Sequence, residues 1–168
     1  MDTKTQIDIT KDQLNRTLGF FGRVDGKASV LLAVDTAMLG VLAGNAPSLH
    51  EFTWYMAVCA ILTILLIGVS LWNVYKEAFP RLDGGERSLV YFRGISKRSE
   101  NQFIDEFLSQ TDEVYLKDML SQVWQNSEIL TKKFNHARLA FNCVAVSIVP
   151  WLITLTLFVR VHQNTLFK

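Results

Sequence analysis

The chain has little of what most small folds use to hold themselves together. It has two cysteines in 168 residues. Both, Cys59 and Cys143, lie inside apolar stretches. In the topology derived below their depths differ by roughly 15–20 Å at helical rise, which excludes a disulfide between them. They read as small buried hydrophobes. The three histidines, His50, His136 and His162, are isolated, and no spacing of ligating residues supports a metal site. There are only three prolines, at 47, 80 and 150, so helices can run far without a break. No excess of one charge sign exists either, with 17 Lys and Arg against 16 Asp and Glu. Within residues 75–138 ten acidic residues balance ten basic ones, which argues against a long nucleic acid as partner.

What the chain does contain is three apolar blocks, residues 28–44, 52–74 and 139–161. A mean hydropathy of +0.19 conceals them because polar segments lie between. The last two blocks hold 23 residues each, with no charge before Arg160. At helical rise either block crosses about 30 Å of hydrocarbon. The fold expected is an all-α membrane protein: a hairpin of two transmembrane helices, a helical segment, and a third span. The first block begins after 27 mixed residues and lacks a small-residue cleavage site, so it reads as a retained anchor.

Lysine and arginine orient the spans. Residues 1–27 carry five (Lys4, Lys11, Arg16, Arg23 and Lys27), whereas the loop 45–51 carries none. Residues 75–138 carry ten, and the end of the chain carries Arg160 and Lys168. The expected division is an N-terminal cytoplasmic helix (1–27), span one (28–44), span two (52–74), a cytoplasmic helical segment (75–138), span three (139–161) and a tail on the outer side (162–168). Trp54 and Tyr55 would mark one interface of the second span, and Trp72 and Tyr75 the other.

Leu14, Leu18, Phe21, Asp25, Ala28, Leu32, Asp35, Leu39 and Leu42 keep a 4,3 spacing with no proline. This makes the first span the outer half of a longer helix, with Gly22 and Gly26 as weak points where it can bend. Asn45–Ser48 forms the hairpin turn, and Pro80 with Asp83-Gly84-Gly85 ends the second helix. Ser99–Gln110 reads as a short helix with Phe103, Ile104, Phe107 and Leu108 on one side. From Thr111 there is no breaker until Pro150. Leu116, Leu120, Val123, Leu130, Phe134 and Ala137 repeat in near-heptads, so one helix is expected to enter the third span. Ser147 is placed to bond a carbonyl that Pro150 frees.

Asp35 is the sharpest local signal. A carboxylate near the centre of a span costs roughly 2.5–3.5 kcal/mol on insertion scales, so it should face another helix or water. It reads either as a packing residue, with Thr63, Ser70 or Asn142 as partner, or as a pore or gating group together with Asn142 and Arg160. Asp25 and Lys27 form a membrane-surface hinge. There Lys27 snorkels to headgroups and Asp25 pairs with it or with a cation of residues 75–138. A basic set surrounds an aromatic pair in Arg81, Arg87, Tyr91, Phe92, Arg93, Lys97 and Arg98. Arginine forks suit a phosphate and the two rings suit a flat base, the chemistry that a small nucleotide needs. Basic residues beside a membrane also answer to anionic lipids. No nucleophile–base pair stands out, and Asp83-Gly84-Gly85-Glu86 lacks the Lys and following helix of a phosphate loop, so an enzyme is not expected.

Arg23-Val-Asp-Gly-Lys-Ala-Ser-Val-Leu-Leu, at the entry to the first span, resembles the opening of Pycsar transmembrane effectors. Leu89-Val-Tyr-Phe-Arg-Gly-Ile and Gln125-Asn-Ser-Glu-Ile-Leu-Thr-Lys-Lys-Phe resemble their cytoplasmic portion, in the same order and with the same span arrangement. The resemblance implies an antiphage effector of the bacterial inner membrane. A companion cyclase makes cyclic UMP or cyclic CMP as activating ligand, and the effector impairs the bilayer; binding is expected to favour a homo-oligomer or a rearranged helix pair. It implies no further cofactor, and it transfers no ligand contact. A membrane scaffold and a small constitutive channel subunit are the rival readings of the residues.

Overall fold

The computed structural model describes residues 1–79 and 88–166, the side chains of Leu49, His162 and residues 164–166 excepted. Among the described residues five α-helices follow one another: α1 (Thr3–Gly44), α2 (Trp54–Ala78), α3 (Phe92–Ser96), α4 (Glu100–Ser109) and α5 (Asp112–Leu166). The described residues contain no strand. Three of these helices, α1, α2 and α5 over Asp112–Val161, are long and apolar enough to cross a membrane. α1 and α5 are each one continuous helix, as their unbroken spacing requires. α1 continues through Gly22 and Gly26, where an added Cβ would meet nothing within 4 Å. Between α1 and α2 the hairpin turn includes a short 3₁₀ turn, Leu49–Glu51. The loop expected around Pro80 and Asp83-Gly84-Gly85 lies outside the described residues.

The chain divides into two compact units, residues 1–23 with 80–132 and residues 24–79 with 133–168. In the first, Ser88 is buried, and its Oγ accepts the backbone N–H groups of Val90 (3.1 Å) and Tyr91 (2.9 Å) just before α3. Leu89 donates its N–H to Asp118 Oδ2 at 2.8 Å. Ser99 caps α4, its Oγ accepting from Gln102 N at 3.3 Å. α4 buries none of its residues; Phe103 and Phe107 lie tilted against each other on one side of it, and Phe107 meets Tyr115 of α5 edge-on.

The second unit is a three-helix arrangement with a regular buried seam on each helix. On α2 the seam is Met56, Ala60, Thr63, Ile67, Ser70, Val74 and Glu77, alternating steps of four and three. On α5 it is Lys133, Ala137, Ala140, Val144, Ser147, Thr154 and Phe158, with Trp151 partly buried in the gap. On α1 it is Val24, Ala28, Leu31, Asp35, Met38 and Leu42. This 3.5-residue period is that of helices packed knobs into holes. The sequence pattern therefore gave the right period on α1 but one wrong edge. Leu18 and Leu32 are exposed, whereas Thr17 and Leu31 beside them are buried. Leu120 is likewise exposed on α5, and Met119 takes the buried position.

The opposite faces carry Val58, Ile61, Leu62, Ile64, Leu65 and Val69 on α2 and Val146, Ile148, Val149, Leu152 and Ile153 on α5, all exposed. In water this would be an unusually large apolar surface; against lipid tails it costs nothing, and buried small and polar groups carry the helix contacts. Trp54 and Tyr55 are exposed at one end of α2, and Trp72 and Tyr75 stack at the other, 5.7 Å between ring centres. Lys76 Nζ lies 5.2 Å from the Trp72 ring. Aromatic residues at both ends match the belts of a spanning helix.

Pro150 sits inside α5 without ending it. Ser147 does not bond the carbonyl of Val146 that the proline frees, because its Oγ donates to Val144 O at 2.7 Å. Thr154, one turn beyond the proline, donates instead to Pro150 O at 2.8 Å.

Candidate functional site: a line of polar groups inside the three-helix unit

An apolar seam is interrupted by polar residues only at a cost, which a partner must offset. Asp35 is fully buried on α1. Its Oδ2 accepts from Ser70 Oγ on α2 at 2.7 Å, whereas among the described residues no donor reaches Oδ1. Of the three partners the sequence offered, the helices supply Ser70. Thr63 is buried but donates to its own helix at Cys59 O, 2.9 Å. Asn142 is exposed, off the α5 seam, and does not serve as partner to Asp35. Arg160 is exposed near the far end of α5. On α5, three residues past Asp35's level, Trp151 donates its indole N–H to Met38 O at 3.0 Å.

A second polar layer lies two helical turns further along α2. Lys133 of α5 donates from Nζ to Asp25 Oδ1 of α1 at 2.6 Å and to Glu77 Oε1 of α2 at 3.2 Å. The Lys133 side chain is 6% exposed and that of Glu77 1%, while Asp25 is half exposed at 53%. Three charged groups, one from each helix, thus meet at one end of the seam. Glu77 Oε2 has no donor among the described residues. Beside this layer His136 Nδ1 lies 2.9 Å from Asn73 Oδ1, and Asn73 donates to Val69 O.

Asp25 therefore takes the second of the two partners expected for it, a lysine of residues 75–138. Lys27 goes elsewhere, its Nζ lying 5.5 Å from the Phe134 ring centre. Sequence reading missed Glu77, Lys133 and His136 as members of a site. One signal was available: Thr63, Ser70 and Glu77 stand seven residues apart, so any helix that buries two of them buries the third.

The basic set around the aromatic pair is split. Arg81 and Arg87 lie outside the described residues. Tyr91 and Phe92 pack ring against ring, 4.8 Å between centres, at the start of α3. Phe92, Arg93 and Lys97 are exposed. Arg98 is a strut. Its Nε donates to Glu106 Oε2 at 2.7 Å, and its Nη1 to Gly94 O at 2.6 Å and Ser88 O at 3.3 Å. Those bonds join the turn at Ser88, α3 and α4 through one guanidinium. The side-chain amide of Gln102, then Arg98, hold the Glu106 carboxyl below the usual glutamate range.

Long helices with lipid-suited outer faces and charged groups turned inward define a three-span membrane protein of the all-α class. The family model for the Pycsar effector protein domain, PycTM, matches residues 9–160. The chain belongs to that family, the transmembrane effectors of Pycsar antiphage defence. It is similar to the Pycsar effector protein EcPycTM of Escherichia coli, 25% identical over 167 residues that cover 87% of this chain and 90% of that protein. No solved structure matches.

Proposed function

We propose that the protein is a nucleotide-triggered effector that impairs the bacterial inner membrane, so that an infected cell stops growing or dies. Its N-terminus is cytoplasmic and its C-terminus periplasmic, following the lysine and arginine count. A companion cyclase supplies cyclic UMP or cyclic CMP. The ligand binds the unit formed by residues 1–23 and 80–132, with Tyr91 or Phe92 against the base and Arg93, Lys97, Arg81 and Arg87 as candidate phosphate donors. Arg98 is assigned a supporting part, because its fork already holds Glu106 and two carbonyls.

The observation that carries this reading is α5. One helix, Asp112–Leu166, begins among the residues of the proposed sensing unit and ends as the third span. A ligand shifts only an equilibrium whose states it binds unequally. A shift or turn of α5, or its assembly with other copies, is the simplest way for that preference to reach the membrane. Membership of the Pycsar effector family supports the trigger and the outcome.

The test is dye-loaded liposomes containing the purified protein, treated with cyclic UMP, cyclic CMP or cyclic AMP, with pH and dye signals read together. A signal with a pyrimidine nucleotide alone is the expected result, and Arg93→Ala weakens it. Leakage without nucleotide favours a constitutive channel, and no response to any nucleotide favours a scaffold; either result overturns the proposal.

A further inference from the structure

Two carboxyl groups lie on the buried seam of the three-helix unit, and each has an oxygen that no donor among the described residues reaches. Asp35 is 0% exposed and Glu77 1%. These atoms are Oδ1 of the first and Oε2 of the second. Structural carboxylates in so dry a setting normally have both oxygens satisfied. Ser70, the donor to Asp35, and Glu77 lie on the same line of α2, about 10 Å apart at helical rise. Between their levels sit Asn73 and His136, already in contact at 2.9 Å. At the end of the line Asp25 is half exposed and opens it to solvent. Ionisable side chains facing a bundle interior in such a series are the usual components of a proton route.

We infer that Glu77, His136 and Asp35 form a proton path within each subunit, leading from the Asp25 end of the bundle to the middle of the membrane. Titratable groups reach this line from all three helices: Asp25 and Asp35 from α1, Glu77 from α2, Lys133 and His136 from α5, while Lys27 of α1 lies beside it against the Phe134 ring. At each hop one O–H or N–H bond breaks as another forms on the next acceptor, with water bridging the longer gaps. No charge stays behind after a proton has passed. Beyond Asp35 the fully buried Thr63, Ser147 and Thr154 donate their hydroxyls to carbonyls of their own helices, and water relays the proton past them. In the resting structure the Lys133 ammonium sits against Glu77 and acts as an electrostatic barrier to a proton. Movement of α5 withdraws it. The membrane damage on this view is a proton leak rather than a hole of molecular size. The trigger rests on the proposed function, whereas the path does not.

Liposomes loaded with a pH-sensitive dye, a valinomycin-clamped potassium gradient and a separate releasable dye measure both. Full-length protein with the activating cyclic pyrimidine nucleotide should pass protons without releasing the second dye. Asp35→Asn and Glu77→Gln, which keep side-chain shape, should each lower the flux by about tenfold or more. A nucleotide-free arm uses dicyclohexylcarbodiimide, which modifies protonated carboxyls in apolar surroundings, with the labelled residues mapped by mass spectrometry. The path predicts labelling at Asp35 and Glu77, with labelling at Asp35 slowed by Glu77→Gln. That labelling without any nucleotide response supports the path and removes the trigger. Leakage of both dyes that is insensitive to Asp35→Asn and Glu77→Gln overturns the path and leaves the trigger standing. Absence of label at Asp35 overturns the path.

Discussion

Lys133→Met separates a structural ion cluster from an ornamental one. The change removes the ammonium and keeps most of the stem, so packing along α5 is little altered. It leaves Glu77, 1% exposed, as a buried carboxylate without a counter-charge. Breaking a buried ion pair by deleting one partner costs about 3–5 kcal/mol. Asp25, at 53% exposure, recovers water and adds little. Lys132 supplies the control one residue away. It is 73% exposed, with Glu128 at 3.7 Å, and Lys132→Met should cost less than about 1 kcal/mol. At about 2–4 °C per kcal/mol for a chain of this size, the two variants should differ in Tm by roughly 5–15 °C. Thermal unfolding in detergent micelles or nanodiscs reads this, with tryptophan fluorescence as the signal. Lys133→Met/Glu77→Leu should recover much of the loss, because it removes the stranded charge. Equal Tm values for Lys133→Met and Lys132→Met would refute the assignment of a buried charge cluster.

Three other outcomes follow from the packing, each read by the same unfolding measurement. Ser70→Ala removes the hydroxyl that Asp35 accepts from and should cost about 1–3 kcal/mol, whereas Ser70→Ala/Asp35→Leu should come back toward wild type. Leu31→Ala, at a buried seam position, should cost about 2–5 kcal/mol, and Leu32→Ala, on the exposed face, much less. Glu106 is held below the usual glutamate range in the folded state, so the stability it contributes is complete above that range. It is lost as pH falls through the folded value, and Glu106→Gln should flatten this acid limb.

The three spans, the hairpin and the uninterrupted α5 were legible because each depends on composition over twenty residues or more. Which edge of α1 turns inward was harder. Leu18 and Leu32 are more apolar than Thr17 and no less so than Leu31, yet lipid accepts the former as readily as a core does. In a membrane, hydrophobicity alone does not tell inside from outside. The better guide was polarity inside the spans. Asp35 is followed correctly to its helix face, and Ser70 was among its expected partners. The ion cluster escaped because Glu77 and Lys133 lie just past the ends of two apolar blocks, where single charges ordinarily mark a lipid headgroup boundary. Arg98 was read as a ligand for phosphate since a guanidinium looks the same in sequence whether it holds a substrate or the protein's own carbonyls.

The seven-residue repeat on α2 has a cost as well as a use. Helices that interlock every heptad can slide by one heptad and interlock again, and here Thr63 or Glu77 would arrive opposite Asp35 in place of Ser70. Thr63 would serve almost as well, so the apolar rungs and hydroxyls distinguish poorly between neighbouring settings of this ladder. The meeting of Asp25, Glu77 and Lys133 occurs in only one of them. Slipping α2 either way parts Glu77 from Lys133 and Asp25, which α5 and α1 still hold together, and strands the buried Glu77 carboxylate. A cluster that adds little net stability can still act as the index mark that tells the inserted helices where to stop, an attested use of buried polar groups.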